Sequence, residues 1–149
     1  MPKWQQLSPA EQQQKLVDIT SRVVATLPQG WQRFVLRTAV IGSHSEMSTG
    51  IRMPDGTIRN WAFPAEVWRM FQQLRKGMYI EGIGTWIEFE YVVTPPAHFS
   101  IRFNHENEPG FTAPPTEQNF ATEFRWFPRT DGNMPAWFRR GLNGTTPTT

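Results

Sequence analysis

Apolar residues recur at Leu16, Ile19, Val23 and Leu27, the three- and four-residue steps of one helix face. Ser8, Pro9 and Glu11 precede them as a capping box with proline in the first turn, and Pro28-Gln29-Gly30 stops the run. The period then changes. Phe34, Leu36, Thr38 and Val40 alternate with Arg33, Val35 and Arg37, a strand pattern. The Ser- and Gly-rich GSHSEMSTG at 42–50 reads as a hairpin loop, and Pro54-Asp55-Gly56 as a tight turn between Ile51, Met53 and Ile58. A second helix opens at Pro64, with Val67, Met70, Phe71 and Leu74 as its stripe and Gly77 as its stop. Two strands follow. In the first, Ile87, Phe89, Tyr91 and Val93 alternate with Trp86, Glu88, Glu90 and Val92. In the second, after Pro95-Pro96, Phe99, Ile101 and Phe103 alternate with Ser100, Arg102 and Asn104. Phe120, Phe124 and Phe127 share a helical face, and a last short helix starts at Pro135.

The predicted order is α-β-β-β-α-β-β-α-α. Strands that follow one another as hairpins or meanders imply an α+β fold, with an antiparallel sheet of about five strands and helices packed on one face. The length of 149 residues fits a single domain over 1–149. Residues 1–7 and 143–149 are expected to be frayed ends.

Composition changes this picture in one respect. Aliphatic residues are sparse, whereas aromatics make up 13% of the chain, with seven Trp and eleven Phe, so a few large rings must carry the core. The net charge of +2 is too small to mark a dedicated nucleic-acid binder. The chain has no cysteine, which excludes a disulfide framework and thiolate chemistry. MPKWQQLSPAEQQQ lacks the apolar run of a signal peptide, and no segment approaches a membrane span; the expectation is a cytoplasmic protein.

Candidate chemistry is thin. His105, Glu106 and Glu108 form a polar cluster after a strand, but with no metal-ligand spacing, and they read as a solvated turn. His44 lies between Ser43 and Ser45 without a nucleophile elbow, and His98 sits at a strand entrance. Gly82 and Gly84 lack the third glycine and the helix of a dinucleotide fingerprint. The expectation is therefore a non-enzyme with no catalytic residue, no cofactor and no metal.

Binding offers more. If Phe89 and Ile101 face the core, Glu88, Glu90 and Arg102 face outward, joined by Arg33 and Arg37. Such residues form either cross-strand ion pairs or a charged docking surface, with Trp31 and Trp86 as its anchors. The stretch EFRWFPRTDGNMPAWFRRGL, 123–142, adds Trp126, Arg129 and Trp137 to the candidate partner-binding residues. It also supports an alternative: a single-stranded nucleic-acid module in which Trp126 and Trp137 stack bases beside Arg139 and Arg140.

The succession GTWIEFEYVV, FSIRFNHENEP, FPR and MPAW, within Trp31 to Leu142, resembles small bacterial immunity proteins of polymorphic toxin systems, the YezG-like group. Gly84-Thr85-Trp86, Asn104, Pro109, Phe127-Pro128-Arg129, Pro135 and Trp137 carry the resemblance. It implies an amphipathic N-terminal helix, a Trp-rich sheet, C-terminal helices and no catalytic residues. It implies a cognate protein toxin as partner, either one that destroys NAD, of the tuberculosis necrotizing type, or a nuclease. In that light Pro128 ends a core-facing helix, Arg129 caps carbonyls or pairs with an acid, and Trp137 folds back as a lid.

Overall fold

A computed structural model describes residues 4–144. The fold is α+β: a five-stranded antiparallel sheet with four helices, in the order α1 (Pro9–Val24), β1 (Arg33–Ile41), β2 (His44–Arg52), β3 (Ile58–Arg59), α2 (Ala65–Gly77), β4 (Glu88–Thr94), β5 (His98–Asn104), α3 (Glu117–Trp126) and α4 (Ala136–Leu142). A single 3-10 turn at Asp131–Asn133 precedes α4. The strands lie in the order β3-β2-β1-β4-β5.

The α1 capping box forms as the sequence implies. Ser8 Oγ accepts from the Glu11 amide, and the Glu11 carboxylate accepts from the Ser8 amide. Period-two burial then sorts β1 and β4. Phe34, Leu36, Thr38 and Val40, with Phe89, Tyr91 and Val93, point to one face and are buried there under Leu16, Ile19 and Val23 of α1 and Val67, Phe71 and Leu74 of α2. Aromatic packing dominates this layer. The Phe71 and Phe89 rings stack with centroids 4.6 Å apart, and Tyr91 meets Phe71 edge-on at 5.7 Å.

A smaller cluster forms at the β1–β2 turn, where α3 and α4 bring Phe120 and Phe138 against Ile41 and Ile87. Gly42 makes this approach possible: its φ is +59°, and a Cβ there would lie 2.3 Å from the Asn119 carbonyl oxygen.

The turn at Pro54-Asp55-Gly56 is confirmed, with the Gly56 amide donating to the Met53 carbonyl at 2.9 Å. Four sequence expectations are corrected. GSHSEMSTG is not a loop: residues from His44 onward pair with β1 as far as Arg33↔Arg52, leaving Gly42-Ser43 as the turn. Polar residues on both faces had hidden the period-two signal. Residues 4–7 are docked rather than frayed, because Trp4 Nε1 donates to the Trp126 carbonyl at 2.9 Å and the Leu7 amide to that of Gly77 at 2.8 Å. At the other end the Asn143 and Gly144 amides donate to the carbonyls of Arg139 and Gly141 at 3.1 and 3.3 Å, and the rest of the ends expected to fray, residues 1–3 and 145–149, lies outside the described residues.

On α3 the buried face runs Phe120, Glu123 and Phe127, which displaces Phe124 to the surface. Glu123 takes that place because Arg75 of α2 pairs with it (below). Ile101 is only half-buried, since β5 is an edge strand with cover on one side.

Candidate functional site

The two helical layers leave one sheet face open. On it β1 presents Arg33, Val35 and Arg37. The registers Arg37↔Glu90 and Glu90↔Arg102 place three charges in a row across β1, β4 and β5. Arg37 Nε donates to Glu90 Oε2 at 2.9 Å and Arg102 Nη2 to Oε1 at 3.2 Å. The acid is the sheltered member: its side chain is 28% exposed against 65% for Arg37 and 82% for Arg102. The bond from Arg37, followed by that from Arg102, holds the Glu90 carboxyl below the usual range. Beside it, Glu88 Oε1 accepts from Asn104 Nδ2 at 3.0 Å.

At one end of this face, Glu46 of β2 accepts the amides of Thr112 and Ala113 at 2.8 and 2.9 Å, tying the loop after β5 onto the sheet. Those two bonds keep its carboxyl low. At the other end the register places Arg33 directly opposite Arg52. Among the described residues neither has an acid within ion-pair distance. The exposed Ile58 of β3 lines a shallow depression of about 280 Å³ with them. Depressions of about 430 and 250 Å³ continue along the face, and Arg37 borders all three. The face is thus shallow and strongly polar, with Arg37 and Arg102 standing above Glu90 and, among the described residues, with Arg33 and Arg52 beyond ion-pair reach of an acid.

The other expected contact residues separate from it. Trp86 is fully buried, its ring stacked on Phe103 with centroids 5.6 Å apart, so it cannot anchor a partner. Its position just before β4 turns it toward the core rather than outward. Trp31 is half-buried against the main core. Arg129 is also buried. Its guanidinium donates to the carbonyls of Thr85 and His105, at 3.2 and 2.6 Å, and to that of Asn133 at 3.3 Å. It therefore caps carbonyls, as the sequence suggested, and is not a contact residue. Gly84 lets it in: φ is +113° there, and a Cβ would meet Arg129 Nε at 2.6 Å.

Trp137 does fold back, donating from Nε1 to the Glu106 carbonyl at 2.8 Å, yet Phe138 beside it is the fully buried ring. Trp126 lines a different cleft, of about 280 Å³, with Trp4, Trp68 and Phe127. Trp137 and Arg140 border another, beside Phe120. Of the side chains in the stacking alternative, Trp126 thus lines one cleft and Trp137 and Arg140 another, while Arg139 lies at Asp131 and lines neither.

Glu46 and Ser48 escape sequence reasoning because GSHSEMSTG reads as a loop, Arg52 because nothing local pairs it with Arg33, and Trp4 because it falls in an end expected to fray. The His44–Glu46–Ser48 alternation was the available signal for the first group. Among the described residues no helix is long and apolar enough to cross a membrane, and no group of His, Asp or Glu is placed to hold a metal ion.

Comparison of the chain with protein-family models and with curated proteins finds no match.

Proposed function

We propose that this chain is a non-enzymatic immunity protein that binds a cognate secreted toxin domain and blocks its active site, using the open sheet face. The observation that carries this reading is the Arg33–Arg52 pair. Like charges directly opposed across an antiparallel ladder are destabilising. Here they stand without an acid among the described residues, next to an exposed Ile58. A partner that brings carboxylates to this end relieves the repulsion, so the face fits an acidic protein surface. The central Arg37–Glu90–Arg102 row supplies a patterned rim, which discriminates among partners by charge. The sequence resemblance to polymorphic-toxin immunity proteins supports the same partner class, with an NAD-destroying or nuclease toxin as its target, and such pairs act in the cytoplasm.

The deciding experiment co-expresses the chain with a candidate toxin domain, taken from the C-terminus of any large secreted protein encoded next to it. The expected result is cell survival, together with a stable complex that the double reversal Arg33→Glu, Arg52→Glu dissolves. Cell death despite folded, abundant protein overturns the reading. Survival that persists with the double reversal moves the interface off this face.

A further inference from the structure

The two sheet edges differ sharply. β3 is a two-residue edge, too short to template another strand, whereas β5 offers seven residues, His98–Asn104. β5 contains neither proline nor lysine, and among the described residues β4 is its sole strand neighbour. Its core-side residues Phe99, Ile101 and Phe103 remain half-buried although they pack against the main core.

The direction of its free backbone groups follows from the ladder. The Val40 amide donates to the Ile87 carbonyl, in register with Thr38↔Phe89 and Leu36↔Tyr91. Peptide groups of Phe89, Tyr91 and Val93 thus face β1, and those of Glu88, Glu90 and Val92 face β5. Across the next ladder, Ser100, Arg102 and Asn104 point back to β4. Phe99, Ile101 and Phe103 therefore present their N–H and C=O groups to the open edge.

We infer that β5 pairs antiparallel with β5 of a second copy of this chain, about a two-fold axis at Ile101. In that register Ile101 faces Ile101 of the second copy and Phe99 faces Phe103, so every outward amide and carbonyl finds a partner. The half-buried rings and Ile101 join into one apolar row. On the opposite face Ser100 meets Arg102 and His98 meets Asn104, with no like charges opposed. The register centred on Arg102 would set two guanidinium groups against each other and leave Phe99 without an apolar partner, and a register centred between two residues would leave the outward groups out of phase. Hydrogen-bond phase restricts the axis to a register centred on a residue, and the charge and apolar patterns then select Ile101. Pairing joins the two sheets into one and places two open faces side by side, so the inference stands apart from the identity of the toxin.

Sedimentation equilibrium of the full chain over a dilution series tests it. The mass is expected to rise from 17.3 kDa toward twice that value with concentration. Hydrogen exchange should show the Phe99, Ile101 and Phe103 amides gaining protection in step. Ser100→Glu, exposed and opposite Arg102 of the second copy, should tighten the dimer by roughly two- to thirty-fold, the effect of two cross-strand ion pairs, and Ser100→Arg should loosen it comparably. Ile101→Lys should give a monomer, with its thermal midpoint reporting that it folds. Monomeric mass for wild type and Ser100→Glu at every concentration overturns the inference. So does a dimer in which those three amides stay exchangeable, or equal dimerisation of the Ser100→Glu and Ser100→Arg proteins. Protection seen only in a toxin complex also overturns it, and would assign the edge to the toxin's own strand.

Discussion

At the residue scale, Tyr91 and Phe89 show how burial sets the consequence of a side chain. The Tyr91 hydroxyl lies 2.5 Å from Thr20 Oγ1, which also donates to the Leu16 carbonyl. Burial pushes the Tyr91 phenol up from its ordinary 10 to about 12, against the opposing effect of its bond to Thr20. A folded pKa above the unfolded one means the neutral phenol stabilises the fold fully below pH 10, and this contribution is lost as pH rises toward 12. Thermal melts across the alkaline range should show that loss in wild type and lack it in Tyr91→Phe. At neutral pH the variant should sit about 1 kcal/mol lower, for one hydrogen bond removed. Phe89 and Ile101 share a face but not a fate. Phe89→Ala should cost about 3–5 kcal/mol by chemical denaturation, because it leaves a cavity between Phe71 and Trp86. At a dilution where the chain is monomeric, Ile101→Ala on the edge strand should cost clearly less, since its side chain is half-exposed.

At the scale of elements, one buried ion pair joins pieces that local sequence cannot connect. Arg75 of α2 reaches Glu123 of α3, Nη2 to Oε2 at 2.6 Å, while its Nε donates to the Trp86 carbonyl at 2.8 Å. The other Glu123 oxygen accepts the Gly42 amide at 2.8 Å, and the Arg75 guanidinium lies over the Phe127 ring. The pair thereby locks α3 against α2, the β1–β2 turn and the approach to β4. Both side chains are almost wholly buried, so removing one partner strands the other charge. Glu123→Ala should destabilise by about 3–5 kcal/mol. The double variant Arg75→Met, Glu123→Leu should recover a large part of that loss. A double-mutant cycle with no coupling between the positions would contradict this arrangement.

At the scale of the whole molecule, the distribution of cover separates stability from recognition. One sheet face is sealed by aromatic rings under α1 and α2, while the other carries exposed Arg33, Arg37, Arg52 and Arg102 around half-buried acids. Substituting these cations should therefore leave the thermal midpoint nearly unmoved, within about 0.5 kcal/mol of wild type. Arg37 borders all three depressions of the face. If the proposed partner docks here, Arg37→Glu should slow association with it and flatten its salt dependence, measured by stopped flow, because charges at a rim act chiefly on encounter. An unchanged association rate would place the contact elsewhere.

The sequence by itself determined most of the element types, their approximate order and the antiparallel class. Those follow from periods of two and near four in apolar residues and from caps and turns that act within a few positions, as Ser8, Gly56 and the β4 alternation show. It also sorted Arg37, Glu90 and Arg102 onto an outward face, since alternation is a local rule. Tertiary structure alone decided what depends on distant neighbours. The mostly polar β2 became a strand because β1 offered a ladder, which placed Arg52 opposite Arg33. Arg129 and Glu123 became buried because carbonyls and a guanidinium from other elements converge on them. Trp86 turned inward because its stacking partner Phe103 lies on the next strand. A polar or aromatic side chain is buried or exposed according to the partner it finds, and that partner is set by the packing of remote segments rather than by its sequence neighbours.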